Sequence, residues 1–190
     1  MAQKEDAPAI AKIHQTEISG GFLSSLSPAF LERFYLALIQ SPVSFCIVAK
    51  ENDNVVGFVA GTTNLNAFYK YFLIRYFFQS FFILLPKIFS SLKKVVETLL
   101  YPQKGQSLPK AELLTIAITK EFQGKGVGGQ MIQPFILEMK KRNISVFKVV
   151  VGESLAGAIA FYEKQGFTFL QNITIHGNAS SRVYFYEIKK

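Results

Sequence analysis

The chain has 190 residues, of which 49% are hydrophobic and 18% are charged, and its formal net charge is +8. This length suffices for one domain with a full core, and the composition excludes a disordered or collagen-like chain. One cysteine and two histidines exclude an intramolecular disulfide and argue against a metal site. The first residues carry acids and no apolar stretch, so we expect no secretory signal and a cytoplasmic protein.

The predicted elements follow from hydrophobic periodicity and from the positions of glycine and proline. Asp6 is expected to cap a first helix that Gly20 and Gly21 end. In chain order, we predict helices at 8–17 and 28–40, strands at 44–50, 55–63 and 112–119, a helix at 129–142, a strand at 144–151, a helix at 154–165, and strands at 167–175 and 182–188. This order predicts a mixed, mostly antiparallel sheet flanked by helices, of the α/β or α+β class. His14 is expected on the exposed side of the first helix, and Cys46 in the core.

A glycine-rich turn, Gln123-Gly-Lys-Gly-Val-Gly-Gly129, separates a predicted strand from a predicted helix. Glycines let the backbone approach a ligand closely, and the turn's amide N–H groups with the positive end of the following helix attract an anion such as pyrophosphate. Gly124, Gly126 and Gly129 satisfy the dinucleotide pattern G-x-G-x-x-G, but a spacer separates them from the strand and too little chain follows for a dinucleotide-binding fold. The Walker pattern fails as well, because no Gly-Lys-Ser/Thr occurs there.

The turn and a second motif together resemble the GNAT superfamily of acyl-CoA-dependent N-acetyltransferases. The family's coenzyme A motif places Q/R-x-x-G-x-G/A after an aliphatic strand, and here Gln123 to Gly128 follow the strand that ends at Ile118. The family's next motif is Y-x-x-x-G-F at the end of a helix, which Tyr162 to Phe167 match. Two motifs in the right order make the resemblance specific. It implies the GNAT fold, acetyl-CoA as acyl donor and an N-acetyltransferase activity.

The resemblance also implies which residues hold acetyl-CoA, without a metal. They are the strand end, the loop and one helical position: Ile116, Ala117, Ile118, Gln123, Gly124, Lys125, Gly126, Val127, Gly128, Gly129 and Leu155. A backbone N–H near Ile118 would polarise the thioester carbonyl, and a preorganised donor of this kind is worth about 2.7–4 kcal/mol. Leu155 stands where many members have an asparagine, so this one contact departs from the family's pattern.

Two side chains are candidates for proton transfer. Glu112 is predicted as general base, because strand alternation would put it on one face with residues 114, 116 and 118, and several family members carry a catalytic glutamate at that point. The alternative for Glu112 is a solvent-facing or capping glutamate at a strand start. Tyr162 is predicted as general acid for the departing thiolate, and its alternative is a structural core tyrosine.

Residues 66–110 form an aromatic and basic insert between the strands that the family counts as third and fourth. The insert holds seven basic residues and one acidic residue, so most of the net charge belongs to it. Lys70, Arg75 and Pro86 interrupt its apolar runs too often for a membrane span, and two amphipathic helices around 67–84 and 87–100 are predicted instead. Three alternatives are open: a layer against the sheet or a second subunit, a wall of the acceptor site, and a peripheral membrane contact.

The leading functional prediction is transfer of an acetyl group to the primary amine of a small molecule. An amino sugar or nucleotide-linked amino sugar is the expected acceptor, by analogy with bacterial amino-sugar N-acetyltransferases. The alternatives are a protein or peptide N-acetyltransferase, and a non-catalytic module that senses acyl-CoA or docks at membranes. Nucleic-acid binding is not expected, because the chain has no motif for it and only four arginines.

Overall fold

The computed structural model describes residues 1–18, 23–75, 108–175 and 179–189. Most of the insert, the helix end predicted at Gly20-Gly21 and His176 lie outside the described residues. The second insert helix, predicted at 87–100, and the three alternatives for the insert's role therefore stay predictions.

The described chain forms its helices and strands in the predicted order. The helices are α1 (Ala7–Glu17), α2 (Pro28–Gln40), α3 (65–75), α4 (Val127–Lys141) and α5 (Ala156–Lys164). The strands are β1 (Ser44–Glu51), β2 (Asn54–Thr62), β3 (Glu112–Ile118), β4 (Val146–Gly152), β5 (Thr168–Ile175) and β6 (Ala179–Glu187). Helix α3 is the described start of the insert, which lies between β2 and β3 of this chain.

The six strands form one sheet with the order β1-β2-β3-β4-β6-β5. All neighbours are antiparallel except β3 and β4, so the predicted mixed, mostly antiparallel class is confirmed. The parallel ladder, in two strands that are described over their whole length, joins Glu112 with Lys148 and Leu113 with Val149, and it ends there. Two antiparallel half-sheets, β1-β2-β3 and β4-β6-β5, therefore meet at this short junction and separate beyond it.

Helices cover both faces of the sheet, and each face has its own apolar core. Helices α1, α2 and α3 pack on one face around aromatic rings that include Phe34 and Phe68, whose centroids are 5.4 Å apart. Cys46 is buried in this core, as predicted. Helices α4 and α5 pack on the other face around Phe135 and Phe147. Because burying one Phe side chain is worth about 1.5–3 kcal/mol, both layers are firmly held.

A β-bulge in β3 alters the predicted arrangement of its side chains. The register with β2 shifts between Ala60 and Gly61, which leaves Leu114 as an extra residue in β3. Leu114 packs in the core under α1 and α2, whereas Ile116 and Ile118 pack under α4 and α5. The prediction that the side chains of 112, 114, 116 and 118 share one face is therefore wrong, because alternation holds only while the strand stays regular.

Two polar side chains of the first helical region are buried, contrary to prediction. His14 is only 3% exposed and shares a hydrogen bond with Tyr35, and desolvation lowers its pKa to about 4. Asp6 stands at the N-cap position of α1, but its side chain accepts no hydrogen bond from the first N–H groups of that helix. Its carboxylate accepts a hydrogen bond from Gln3 N and pairs with Lys50 Nζ, each at 2.8 Å. Asp6 therefore ties the start of α1 to β1 instead of capping the helix.

Candidate functional site

A cleft of about 480 Å³ opens at the carboxyl end of β3. Its described walls are the end of α1, the end of β3, the glycine-rich loop with the start of α4, and one side of α5. This size is within the range of small-molecule sites. The sequence-predicted residues that line it are Ile116, Ala117, Ile118, Gln123, Gly124, Gly126, Val127, Gly128, Gly129 and Tyr162.

The glycine-rich loop needs glycine at two of its positions. Gly124 has φ 73° and Gly126 has φ 84°, a left-handed conformation that other side chains adopt with strain. No heavy atom lies within 4 Å of the place where a Cβ would stand on either residue. The backbone therefore forms an open cradle that side chains would fill, and this space fits a phosphate group.

The start of α4 completes this cradle. Gly126 is its N-cap and offers no side-chain cap, and the first turn holds no acid, so its N–H groups are suited to an anion. A Cβ on Gly128 would stand 3.3 Å from the Phe161 ring, and one on Gly129 would stand 3.3 Å from the Gln165 amide. These two glycines therefore let the start of α4 lie close against α5.

Gln123 connects the loop to two other walls of the cleft. Its Nε2 donates hydrogen bonds to the Ile118 carbonyl at 2.8 Å and to Glu17 Oε2 at 3.0 Å. Among the described lining residues, Glu17 is the one carboxylate. It lies at the carboxyl end of α1, where the helix dipole disfavours a negative charge. No sequence signal singled out Glu17, since only the fold brings α1 beside the loop.

Tyr162 lies on the side of α5 that faces the cleft. The residue is 6% exposed and packs between Phe161 and Phe167, with ring centroids at 5.3 and 5.2 Å. Burial raises the pKa of Tyr162 above its ordinary value, so its hydroxyl stays protonated at neutral pH. Ala158 and Gln165 line the same wall. Their spacing of four and three residues from Tyr162 is the helical signal that could have found them.

Two residues predicted to contact the cofactor are not among the described lining residues. Leu155 is 53% exposed and precedes the first turn of α5. Lys125 lies in the loop with its Nζ 5.1 Å from the centroid of the Phe122 ring. Their contact with a cofactor stays a prediction.

Glu112 is buried away from the described lining of the cleft. Its carboxylate lies 2.8 Å from Lys148 Nζ, so the alternative of a solvent-facing glutamate is wrong. Burial raises the pKa of Glu112, although the Lys148 ammonium opposes the rise. Burial, and after it the Glu112 carboxylate, raises the pKa of Tyr69, in a helix that packs with α1 and α2. The role of Glu112 as general base stays a prediction.

The described stretches contain no candidate metal-binding group and no candidate membrane-spanning helix. Within 1–18, 23–75, 108–175 and 179–189, no group of His, Cys, Asp and Glu side chains could hold a metal ion. In the same stretches, every helix is too short or too polar to cross a bilayer.

Comparison with known proteins shows a family-level match over most of the chain. The model of the acetyltransferase (GNAT) family matches residues 8–167. The [ribosomal protein bS18]-alanine N-acetyltransferases of Escherichia coli (strain K12) and Salmonella typhimurium (strain LT2) are 37% identical over 60 residues. That segment is 32% of this chain and 40% of each relative, so less than half of their length is matched.

Solved structures share the fold over nearly the whole chain. Ard1 from Thermoplasma volcanium has a TM-score of 0.63 at 15% identity and covers 100% of this chain and 95% of its own. The ribosomal-protein-S18-alanine N-acetyltransferase from Escherichia coli has a TM-score of 0.62 at 18% identity, and the match covers 100% of this chain and 92% of that protein. The ribosomal-protein-alanine N-acetyltransferase from Brucella melitensis has a TM-score of 0.64 at 14% identity, and the match covers 98% of this chain and 97% of that protein. The resemblance to amino-sugar N-acetyltransferases is not supported by these relatives.

Proposed function

Because this chain belongs to the acetyltransferase (GNAT) family, we propose that it is an acetyl-CoA-dependent N-acetyltransferase. The observation that carries the proposal is the cleft, in which a glycine-rich loop, a strand end and a buried tyrosine meet. Transfer from a thioester needs a hold on the donor's phosphates, a hydrogen-bond donor for its carbonyl and a proton for its leaving sulfur. Three of the four described walls, namely the loop with the start of α4, the end of β3 and α5, are suited to these three tasks.

The donor site is proposed from the loop and the free edge of β3. Gly124, Gly126 and the first N–H groups of α4 would hold the pyrophosphate. Beyond the junction, no strand of the described residues lies beside β3 on its β4 side, so backbone groups near Ile116 and Ile118 would pair with the amides of pantetheine. A backbone N–H there would polarise the thioester carbonyl. Acetyl-CoA supplies the activated acyl group, and the chain supplies position and charge.

The proposed reaction is direct attack of a neutral amine on the thioester carbonyl carbon. The C–N bond forms and the C–S bond breaks, while the amine loses one proton and the sulfur gains one. Tyr162 is the proposed donor of the proton to sulfur, because its hydroxyl is held in the protonated form beside the cleft. Glu112 as acceptor of the amine proton is a competing assignment, which the ion pair with Lys148 makes less direct.

The proposed acceptor is the α-amine of a peptide or protein. An α-amine has an ordinary pKa of about 7.7–8.0, so roughly a third is neutral at pH 7.5, against about 0.1% of a lysine amine. A site with little help from a general base therefore favours an α-amine. The names of the relatives support this choice, since they act on alanine of ribosomal protein bS18. A small-molecule amine such as an amino sugar is the competing acceptor.

A thiol-release assay tests the acceptor. The chain is incubated with acetyl-CoA and short peptides with free N-termini, and free coenzyme A is measured. Each peptide has a matched control with a blocked N-terminus, and an amino sugar and a polyamine form a second set. We expect release with free peptides and little with blocked ones. Release with the amino sugar alone would replace the proposed acceptor by the small-molecule one.

An acyl-CoA sensor would bind acetyl-CoA and release no thiol with any amine. Leu155, in place of the family's usual asparagine, is the residue that favours this alternative. Ligand at about 100 times its Kd stabilises a protein by about 2.7 kcal/mol, so binding is visible as a raised melting temperature. A raised melting temperature without turnover would support the sensor. Unchanged melting at millimolar acetyl-CoA would remove the premise that both share.

A further inference from the structure

The two half-sheets are joined at a junction of two residue pairs. Glu112 faces Lys148 and Leu113 faces Val149 across the parallel ladder of β3 and β4. The first of these pairs lies at the start of β3, and the cleft lies at its other end. Whatever fixes the junction therefore also fixes how far β3 and β4 stand apart at the cleft.

The first pair of the junction is a buried ion pair. Lys148 Nζ and Glu112 Oε2 are 2.8 Å apart, and their side chains are 6% and 8% exposed. Lys148 Nζ also donates to the Pro109 carbonyl at 2.7 Å, and Lys148 N donates to the Ala111 carbonyl at 3.0 Å. One lysine of β4 therefore holds β3 and the segment that leads into β3.

The described ends of the insert meet at the same place. Burial raises the pKa of Tyr69 in α3, and the nearby Glu112 carboxylate raises it further. Leu65 N, at the start of α3, donates to the Lys110 carbonyl at 3.3 Å. Both described ends of the insert thus lie beside the Glu112–Lys148 pair.

An ion pair is a costly way to join two buried strands. Removing both charges from water costs several kcal/mol for each, and apolar residues of similar volume are often equally stabilising or better. Burial raises the pKa of Glu112 despite the nearby Lys148, so the carboxylate stays poorly solvated in the pair. What the charged pair adds over an apolar contact is one fixed distance and direction between the strands.

We propose that Glu112 and Lys148 are positioning residues that set the angle between the half-sheets and thereby the width of the acetyl-CoA cleft, an inference that rests on the proposed function. Ile118 lies six residues beyond Glu112, or about 20 Å along the strand. A rotation of about 5° at the junction would move the end of β3 by about 2 Å, and a misplacement of about 1 Å can cost 10²-fold in rate.

Acetyl-CoA binding to variants of the full chain tests this role, because it needs no acceptor. Lys148→Met removes the charge at similar length, and we expect the Kd for acetyl-CoA to rise about tenfold. Lys148→Arg keeps an ion pair and should stay within about threefold of the parent chain. Lys50→Met is the matched control, because Lys50 and Asp6 form another 2.8 Å pair that lies away from the junction. That variant should melt earlier with an unchanged Kd.

Charge reversal separates positioning from general-base catalysis. In the double variant Glu112→Lys/Lys148→Glu the pair is restored with opposite polarity, so acetyl-CoA binding should recover relative to Glu112→Lys alone. Glu112→Gln should weaken binding if the residue positions the strands. An unchanged Kd with a lost kcat in Glu112→Gln would make Glu112 the base and overturn the proposal. Tight binding by Lys148→Met would overturn it as well, whereas a parent chain that binds no acetyl-CoA would overturn the proposed function instead.

Discussion

The two ends of β3 differ sharply, although they belong to one short strand. At the start, Glu112 is buried and paired with Lys148 across the junction. At the other end, Ile116 and Ile118 line the cleft, and within the described stretches no strand pairs with them on the β4 side. The bulge at Leu114 separates the two ends and reverses which face the side chains take. We call them the closed end and the open end.

The difference teaches how one strand can both shape a site and serve it. At the closed end, Glu112 and Lys148 form an ion pair that holds β3 against β4. Thr115, just past the bulge, hydrogen-bonds Tyr35, which also bonds the buried His14. At the open end, the Ile118 carbonyl accepts a hydrogen bond from Gln123 Nε2, but no strand among the described residues lies beside β3 on its β4 side. This edge is therefore suited to a ligand with amide and carbonyl groups.

Tyr162→Phe should have the largest effect, and it acts at the open end. Loss of the hydroxyl removes the proposed proton donor while the ring keeps its packing against Phe161 and Phe167. We expect kcat to fall about 10²-fold at an unchanged Kd for acetyl-CoA, as for a general acid. Steady-state kinetics and isothermal titration measure the two quantities on the same preparation.

Tyr184→Phe is the matched control for that variant. Tyr184, in β6, is another buried tyrosine. Its hydroxyl donates to Glu163 Oε1 at 2.8 Å, and it is not a described lining residue of the cleft. Its loss should lower stability by about 1 kcal/mol and leave kcat within about twofold. Equal kcat values for both variants would show that Tyr162 only packs, and the contrast between the ends would lose its chemical meaning.

His14→Gln tests the buried His14–Tyr35 contact, next to β3, through the pH dependence of stability. The pKa of His14 in the folded chain is about 4, against an ordinary value of about 6.5, because its imidazole is desolvated. The unfolded chain takes up a proton as the pH falls below about 6.5, and the folded chain does not. Stability is therefore full above that pH and is lost as the pH falls toward 4, by about 2.5 kcal/mol at pH 4.5.

Urea unfolding at pH 7.5 and at pH 4.5 measures this loss. His14→Gln keeps a hydrogen-bonding group near Tyr35 but does not titrate, so the gap between the two pH values should shrink by about 2.5 kcal/mol. The lowered pKa of Asp6 makes its own contribution vanish only at still lower pH, and it is common to both chains. An equal gap in both chains would mean that His14 is solvated.

The sequence was sufficient for the elements and for the loop, and insufficient for the contacts between distant segments. Periodicity and punctuation placed α2 at Pro28–Gln40, and the glycine motif located a wall of the cleft. The bulge at Leu114 was not predicted, because a single extra residue does not change the hydrophobic pattern of an apolar strand. His14, the Glu112–Lys148 pair and Glu17 escaped because their partners lie 21, 36 and 106 residues away along the chain.

Gly126→Ala should have the smallest effect of these changes, and it probes the loop beside the open end. Its φ of 84° forces an alanine into the left-handed region, which costs about 1–2 kcal/mol, while the surrounding space is free of atoms within 4 Å. We expect the Kd for acetyl-CoA to rise about tenfold, because the cradle must deform or fill. Gly157→Ala in α5 is the control, since nothing lies within 4 Å of its Cβ position and no left-handed φ is required there. That variant should bind acetyl-CoA normally and melt slightly later. Similar Kd values for the two variants would show that the loop does not hold the phosphates, and that β3 alone provides the binding surface at the open end.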